Sequence, residues 1–244
     1  MKKLFFTISL AMLLALAACN SDSNYEQPSI SDIGDSNYEQ PPLANVGNKQ
    51  PPMPNIGDTI EFGEFVWQVL DVEDNYALVV FHYILEEKPY HATFEAVTWE
   101  TSDIRHYLNN SFFNTFSEAE QARIRETAVI NNYNPWFGIS GGNTTDRIFL
   151  LSFYEVVRYF GDSGRLADRH MEGNMEFGFT DEYASARMAD GIHGMMAWWM
   201  RSPGGADYLA PFVEGYGFIN IAGTHATAAL GIRPALWVNM SYYG

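Results

Sequence analysis

Apolar and polar positions divide the chain into three stretches of different texture. Leu4 to Ala18 are apolar except for Thr7 and Ser9, and they follow the basic Lys2 and Lys3. A basic start, a short apolar run and small residues before a cut site form the pattern of an export signal. The run is shorter than the ~20 residues that a membrane-crossing helix needs. From Asn20 to Asn55 bulky aliphatic residues nearly vanish, and Pro, Ser, Asn and acidic residues take over. Such a segment buries too little apolar surface to offset its ordering entropy, so its composition predicts disorder. It also repeats: Asp22–Pro28 returns unchanged as Asp35–Pro41, and Gln40–Gly47 returns in varied form as Gln50–Gly57. Units this short read as spacer duplications rather than solenoid repeats, which take roughly 20–50 residues. Binding of a partner by the Tyr-Glu-Gln-Pro repeats is the alternative.

From Ile56 to Gly244 the pattern is that of one globular domain with enough apolar residues for a real core. Phe65–Val72 and Tyr76–Tyr83 are apolar, β-branched runs around a polar Glu73-Asp74-Asn75 turn, which predicts a hairpin. Short helices are predicted next. Ile104, Tyr107 and Leu108 have helical spacing within Ser102–Asn109, and Ser117 to Glu120 is a capping-box pattern opening a helix to about Glu126. Ser152 to Glu155 repeats the capping box before Val156–Phe160, with Gly161 as the stop. Thr180–Met188 is a further candidate helix. After Gly191 the texture turns Gly-rich, with short strands expected at Ala197–Arg201, Leu209–Val213, Gly217–Ile221 and Ile232–Val238. Strands at both ends, short helices between them and a loop-rich last part make the class α+β.

Four ordered motifs carry a family resemblance. They are Trp99-x-x-Ser102-x-Ile104-Arg105-x-Tyr107-Leu108-Asn109, Thr144 to Ser152, Trp198 to Gly204, and Gly231 to Trp237. Together they resemble a bacterial family of domains of unknown function found in lipoproteins and other surface proteins, over Ile56 to Val238. The ending, Trp-Trp-x-Arg-Ser followed by Gly-x-Arg-Pro-Ala, is also similar to that of C-type-lectin-like domains, a group that includes formylglycine-generating enzymes. The resemblance implies a single C-type-lectin-like domain at 56–244 and no particular activity, since fold alone does not assign one.

Charge and cysteine content narrow the setting. The chain has 14 Lys and Arg against 30 Asp and Glu, a net charge of −16. A surface this acidic is repelled by phosphate backbones and anionic headgroups, which argues against a nucleic-acid partner. Cys19 is the single cysteine, so no internal disulfide is possible in an exported chain, and the lone thiol needs another purpose. Leu16-Ala17-Ala18-Cys19 resembles the bacterial lipobox. That resemblance implies a lipoprotein signal peptide at 1–18 and a diacylglyceryl group on Cys19, which holds the protein to the outer face of the cell membrane. Two acyl chains anchor stably where one does not. Residues 19–55 then form a tether, spanning on the order of 35 Å as a coil and about 110 Å if fully extended.

Candidate binding residues are few. Asn131 to Asn143 is a long polar and aromatic loop, in which Tyr133 and Trp136 suit stacking on a sugar, and Asn132, Asn134 and Asn143 suit bonds to hydroxyls. The alternative folds these aromatics onto the body of the domain. In Trp198-Trp199 strand alternation sends one ring to the core and its neighbour outward or under a loop, so Trp199 is either a stacking residue or a core residue. Arg201 and Arg233, like Arg105, Arg147 and Arg187, stand among apolar neighbours. They are either bound to carboxylates, with Asp146 and Asp103 as candidate partners, or placed to recognise an anionic group. The proposed site needs Trp136, Trp199, Arg201 and Arg233 exposed together, and burial of all four would remove it.

Other chemistry finds no signature. The six histidines are dispersed, no metal-ligand spacing or EF-hand loop occurs, and no cofactor motif is present. Asp181 and Glu182 are read as a favoured helix start. Formylglycine-type catalysis needs cysteines that this domain lacks, and no catalytic residues are assigned. The leading expectation is a lipid-anchored binding or display module for an envelope glycan or a protein partner. A hydrolase acting on envelope material, recognised by a deep pocket with perturbed carboxylates, is the second reading. A structural or assembly lipoprotein, marked by a large apolar patch, is the third.

Overall fold

In the computed structural model the described residues are 52–134, 136–161, 178–179 and 181–241. The chain divides into Met1–Gly47 and Asn48–Gly244, and every described residue belongs to the second unit. The signal segment, Cys19, the repeats up to Pro51 and His170 lie outside the described residues. The domain's contacts begin ahead of Ile56: Met53 packs on the core, and the Asn55 N–H donates to Asp58 at 2.8 Å.

Strands β1 (Thr59–Phe62), β2 (Phe65–Glu73) and β3 (Tyr76–Phe81) are successive antiparallel neighbours. The β2–β3 turn uses Asp74 at φ +52°, a left-handed conformation that Asp tolerates better than most residues. Register shifts between Val69 and Asp71 on β2, the mark of a β-bulge. Because a bulge reverses side-chain alternation, Val69 and Leu70 are both buried while Asp71 turns toward the helix described below.

A short strand, β4 (Glu87–Pro89), precedes α1 (Asp103–Tyr107), which continues as a π-turn over Leu108–Phe112 and a 3-10 turn over Phe113–Thr115. Next come α2 (Glu118–Gln121), β5 (Thr127–Val129), β6 (Thr144–Asp146) and β7 (Phe149–Leu150). Helix α3 (Phe153–Phe160) starts at the expected capping box on Ser152 and stops at Gly161, whose φ of +93° suits glycine. The rest is β8 (Gly178–Phe179), α4 (Ala184–Arg187), β9 (Asp190–Gly191), β10 (Gly194–Met195), β11 (Trp198–Trp199), β12 (Leu209–Val213), β13 (Ile219–His225), β14 (Ala229–Gly231) and β15 (Pro234–Asn239). The helix expected over Thr180–Met188 is thus shorter. Asp181 binds the guanidinium of buried Arg187 at 2.8 Å instead of opening a helix.

The architecture is strands in several sheets with a few short helices, a small α+β domain. One sheet runs β1-β2-β3-β15-β7, so the last strand closes on the first hairpin. A second runs β4-β14-β11-β12-β13-β8, with β11 parallel to β14. Helix α3 touches both: Tyr159 and Arg158 reach Asp71 on β2, and Phe160 meets Trp198 on β11. A single apolar cluster joins the inner faces.

The expected in–out alternation of Trp198 and Trp199 is not observed, because both are 0% exposed. Strand β11 lies inside its sheet, and both of its faces are covered. Trp198 meets Phe160 of α3, whereas Trp199 meets Tyr90 and Phe212.

Candidate functional site

The four family-like motifs prove to be one scaffold. Asp146, whose side chain is fully buried, accepts from the Trp99 indole at 2.8 Å, the Arg105 Nε at 2.7 Å and the Thr144 hydroxyl at 2.5 Å. Asn109 accepts from the Arg147 and Ile148 amides at 2.8 and 3.1 Å, and donates to the Ile148 carbonyl at 2.8 Å. The first two motifs therefore hold each other. The third supports α3: Ser202 accepts from the Phe153 amide at 3.0 Å, and Arg201 clamps Glu155. Gly204 is required by close approach, since a Cβ there would lie 2.3 Å from the Leu209 carbonyl.

Around this clamp lies a cleft of about 280 Å³, bounded by β5 and residues 130–132 on one side and the first turns of α3 on the other. Tyr154, Tyr159 and Trp237 supply rings to its wall, and Thr127, Asn132, Ser152 and Glu155 supply polar groups. Glu155 is already committed. Its Oε2 accepts from the Ser152 amide and hydroxyl and from the nearer Arg201 nitrogen, and its Oε1 accepts from the other nitrogen at 2.9 Å. Arg201 also donates to the carbonyls of Leu150 at 2.6 Å and Ile130 at 3.1 Å. A carboxylate engaged on both oxygens in this way is a structural group, with its lone pairs occupied inside the fold rather than open to a ligand.

The tyrosines differ in freedom. Tyr159 donates to Asp71 Oδ2 at 3.2 Å, and burial, helped by neighbouring carboxylates, pushes its pKa up to about 12. Tyr154 is 44% exposed and rests on Phe153 at 4.3 Å; partial burial, and then the neighbouring Tyr133, raise its pKa.

The loop at 131–143 has no regular secondary structure among its described residues, and it is braced from within. Buried Asn134 donates to the carbonyls of Pro203 at 2.9 Å and Ile221 at 3.1 Å, while its own oxygen accepts from the Trp136 amide. Asn143 Oδ1 accepts from the Asn131 amide at 2.8 Å. Asn134 thus shapes the loop rather than offering a free group to a ligand, whereas Asn143 commits its oxygen to the loop and is itself exposed. Tyr133, 63% exposed, and Asn132 remain available.

The four residues expected to be exposed together are all buried. Trp136 packs on Phe153 at 5.4 Å, and Trp199 donates its indole N–H to the Lys88 carbonyl at 2.9 Å. Arg233 donates to the Phe81 carbonyl at 3.0 Å and lies over Phe160 and Trp198, and burial lowers its pKa to about 10. No carboxylate partners it among the described residues. Trp136, Trp199 and Arg233 thus act as core groups here: Trp136 packs against Phe153, and the Trp199 indole and Arg233 guanidinium find carbonyls inside the fold. Arg201 lines the cleft, and Tyr133, not itself part of that lining, neighbours Tyr154. The structure brings these two into one region and leaves Trp199 and Arg233 outside it. Tyr154, Tyr159 and Trp237 were not singled out by sequence. For Tyr154 a signal existed, since it follows buried Phe153 on a helix whose inward face is Phe153, Val156 and Phe160.

Among the described residues no group of three or more His, Cys, Asp or Glu could hold a metal ion. A family model described as a domain of unknown function, DUF6273, matches residues 74–240. No curated protein and no solved structure matches the chain.

Proposed function

Since the chain belongs to the DUF6273 family, for which no activity is defined, function must be read from its own surface, and we propose a lipid-anchored binding module for envelope glycan. In this reading Cys19 carries the anchor and residues 19–55 form the tether. The domain, of C-type-lectin-like descent, presents the cleft beside Tyr133 and Tyr154. One observation carries the proposal: the cleft combines the exposed ring of Tyr154 and the half-buried rings of Tyr159 and Trp237 with hydroxyl and amide groups, and its lining carboxylate is consumed by Arg201. Rings that stack on the apolar face of a sugar and polar groups that take its hydroxyls are the usual equipment of such sites. A hydrolase would need two carboxylates free to work as acid and base or nucleophile.

Retention of the intact chain on purified cell-wall sacculi tests the reading. Tyr154→Ala and Tyr133→Ala are each expected to weaken binding about two- to tenfold, from the loss of roughly 0.5–1.5 kcal/mol of ring contact. Absence of binding to sacculi and to a broad glycan array, or full binding by both variants, would sink the proposal. Release of new reducing ends would replace it with the hydrolase.

A partner-docking role draws on a different observation. Ile192 at the β9–β10 turn is 89% exposed, with Met195 on β10 at 49% and Tyr216 on the β12–β13 loop at 70%. Cross-linking to another envelope protein through this turn would favour that role.

A further inference from the structure

A second aromatic surface lies away from the cleft and shares none of its lining residues. Phe94, on the loop after β4, is 65% exposed. Its ring lies 5.1 Å from Tyr208, just before β12, and 5.2 Å from His225, at the end of β13. Tyr208 and His225 stack on each other at 5.6 Å and 24°. Single exposed aromatics are ordinary, but three in mutual contact from three separate segments form a continuous patch.

The segments are locked in place. The His91 amide donates to the Ala226 carbonyl at 3.0 Å, the Ala226 amide to the Tyr208 carbonyl at 3.0 Å, and the Val97 amide to the Asp207 carbonyl at 2.7 Å. The loop that carries Phe94 is stapled again by side chains. Glu95 Oε1 lies 2.9 Å from His91 Nε2 and accepts from the Thr93 hydroxyl at 2.6 Å. Asp103 Oδ2 accepts from the Ala92 amide at 2.8 Å. The same oxygen lies 3.1 Å from His91 Nδ1, an ion-pair contact outside hydrogen-bonding geometry. A free loop would fold Phe94 down or let it move, whereas this one holds the ring out in water.

The staples also orient acceptors. Glu95 and Asp103 each use one carboxylate oxygen on the loop, and the other has no partner among the described residues. Both side chains are more than half exposed, at 62% and 56%. The patch therefore offers an apolar ring surface, with Glu95 next to Phe94 in sequence and Asp103 bonded to the same loop as anionic acceptors. Phosphate and sulfate polymers are repelled by those acceptors. The rings touch one another and leave no gap to enclose a cationic head. A neutral sugar satisfies both halves, laying its C–H face on the rings and donating its hydroxyls to the carboxylates.

We infer that Phe94, Tyr208 and His225, with Glu95 and Asp103 at the rim, form a second carbohydrate-contact site that binds uncharged sugar units of a polymer. The inference rests on the reading of the domain as a glycan binder, but it does not depend on the cleft. Two sites on one polymer add through effective concentration, so losing either weakens retention without abolishing it.

The test uses the intact chain and sacculi stripped of anionic wall polymers, comparing Phe94→Ala, Tyr208→Ala and Tyr154→Ala. Thermal unfolding confirms that each variant is folded, as exposed positions allow. Phe94→Ala and Tyr208→Ala are each expected to weaken retention about two- to tenfold, and combination with Tyr154→Ala is expected to multiply the losses. Unchanged retention in Phe94→Ala and Tyr208→Ala overturns the second site, and a loss in Tyr154→Ala then leaves the cleft standing. The reverse pattern removes the cleft and supports this site. Failure of the parent chain to bind any sacculus overturns both. So does Phe94-dependent cross-linking to a protein without sacculus binding, which makes the patch a protein interface.

Discussion

Indole nitrogens show how single residues hold this fold. Trp67, Trp99, Trp198 and Trp199 are all almost completely buried, and each donates its N–H to a carbonyl or carboxylate. Burial of so much ring surface is tolerated because that one polar atom is satisfied. Buried phenols act through their proton. Burial raises the pKa values of Tyr90, Tyr107 and Tyr159, and Tyr159 reaches about 12. An unfolded tyrosine ionises near pH ~10, so above that pH the unfolded chain has lost protons that the folded chain keeps. The stability these groups contribute is whole below pH ~10 and lost as pH climbs through the folded values. Arg233 works the other way, since its lowered pKa makes the folded state release a proton first, but three phenols oppose it. Denaturant midpoints measured from pH 8 upward should therefore hold steady and then fall above about pH 10, and less steeply in Tyr159→Phe. A midpoint that rises with alkalinity would contradict this account.

Among the elements, α3 joins the most parts of the domain. Its capping box joins Ser152 to Glu155, and the same Glu155 receives Arg201 from the segment after β11. A local helix-start signal is thus also the joint between the two sheets and the wall of the cleft. Ser152→Ala removes the cap acceptor of the Glu155 amide and one donor to its carboxylate. The expected loss is about 1 kcal/mol, or a Tm lower by about 2–4 °C in a domain of this size. Thermal unfolding checks it, and an unchanged Tm would show that Arg201 alone holds the helix start. The bulge in β2 matters in the same way. In an unbulged strand Asp71, two residues after Val69, would share its face and could not hold Tyr159.

For the whole molecule, charge and attachment belong together. A chain of net charge −16 has no electrostatic reason to stay at an anionic membrane, and no described helix is long and apolar enough to cross one. On the proposed reading Cys19→Ala should abolish labelling by radioactive palmitate and move the protein from the membrane fraction to the medium or wall. Persistence of membrane association in that variant would overturn the anchor. Such a variant also separates attachment from recognition, because sacculus binding through the domain should survive it.

Short-range physics made part of this protein legible from sequence. The β2–β3 hairpin, strand β12 and helix α3 were readable because alternation, turn residues and capping pairs act over a few positions. The exclusion of internal disulfides follows from the sequence directly, since Cys19 is the single cysteine. The fate of the polar and aromatic residues was not readable, because it depends on which distant segment arrives beside each. Trp199 was open to a core or a stacking role until β11 was enclosed on both faces, and Asn134 suited a ligand's hydroxyls until three carbonyls met its amide. Phe94, Tyr208 and His225 are far apart in the chain and carry no motif, yet backbone bonds between three segments set their rings together. Most motif residues turned inward to satisfy one another, and the tertiary structure alone set Tyr154 beside the motif residues Ser152, Arg201 and Trp237 in the cleft and gathered Phe94, Tyr208 and His225 outside the motifs.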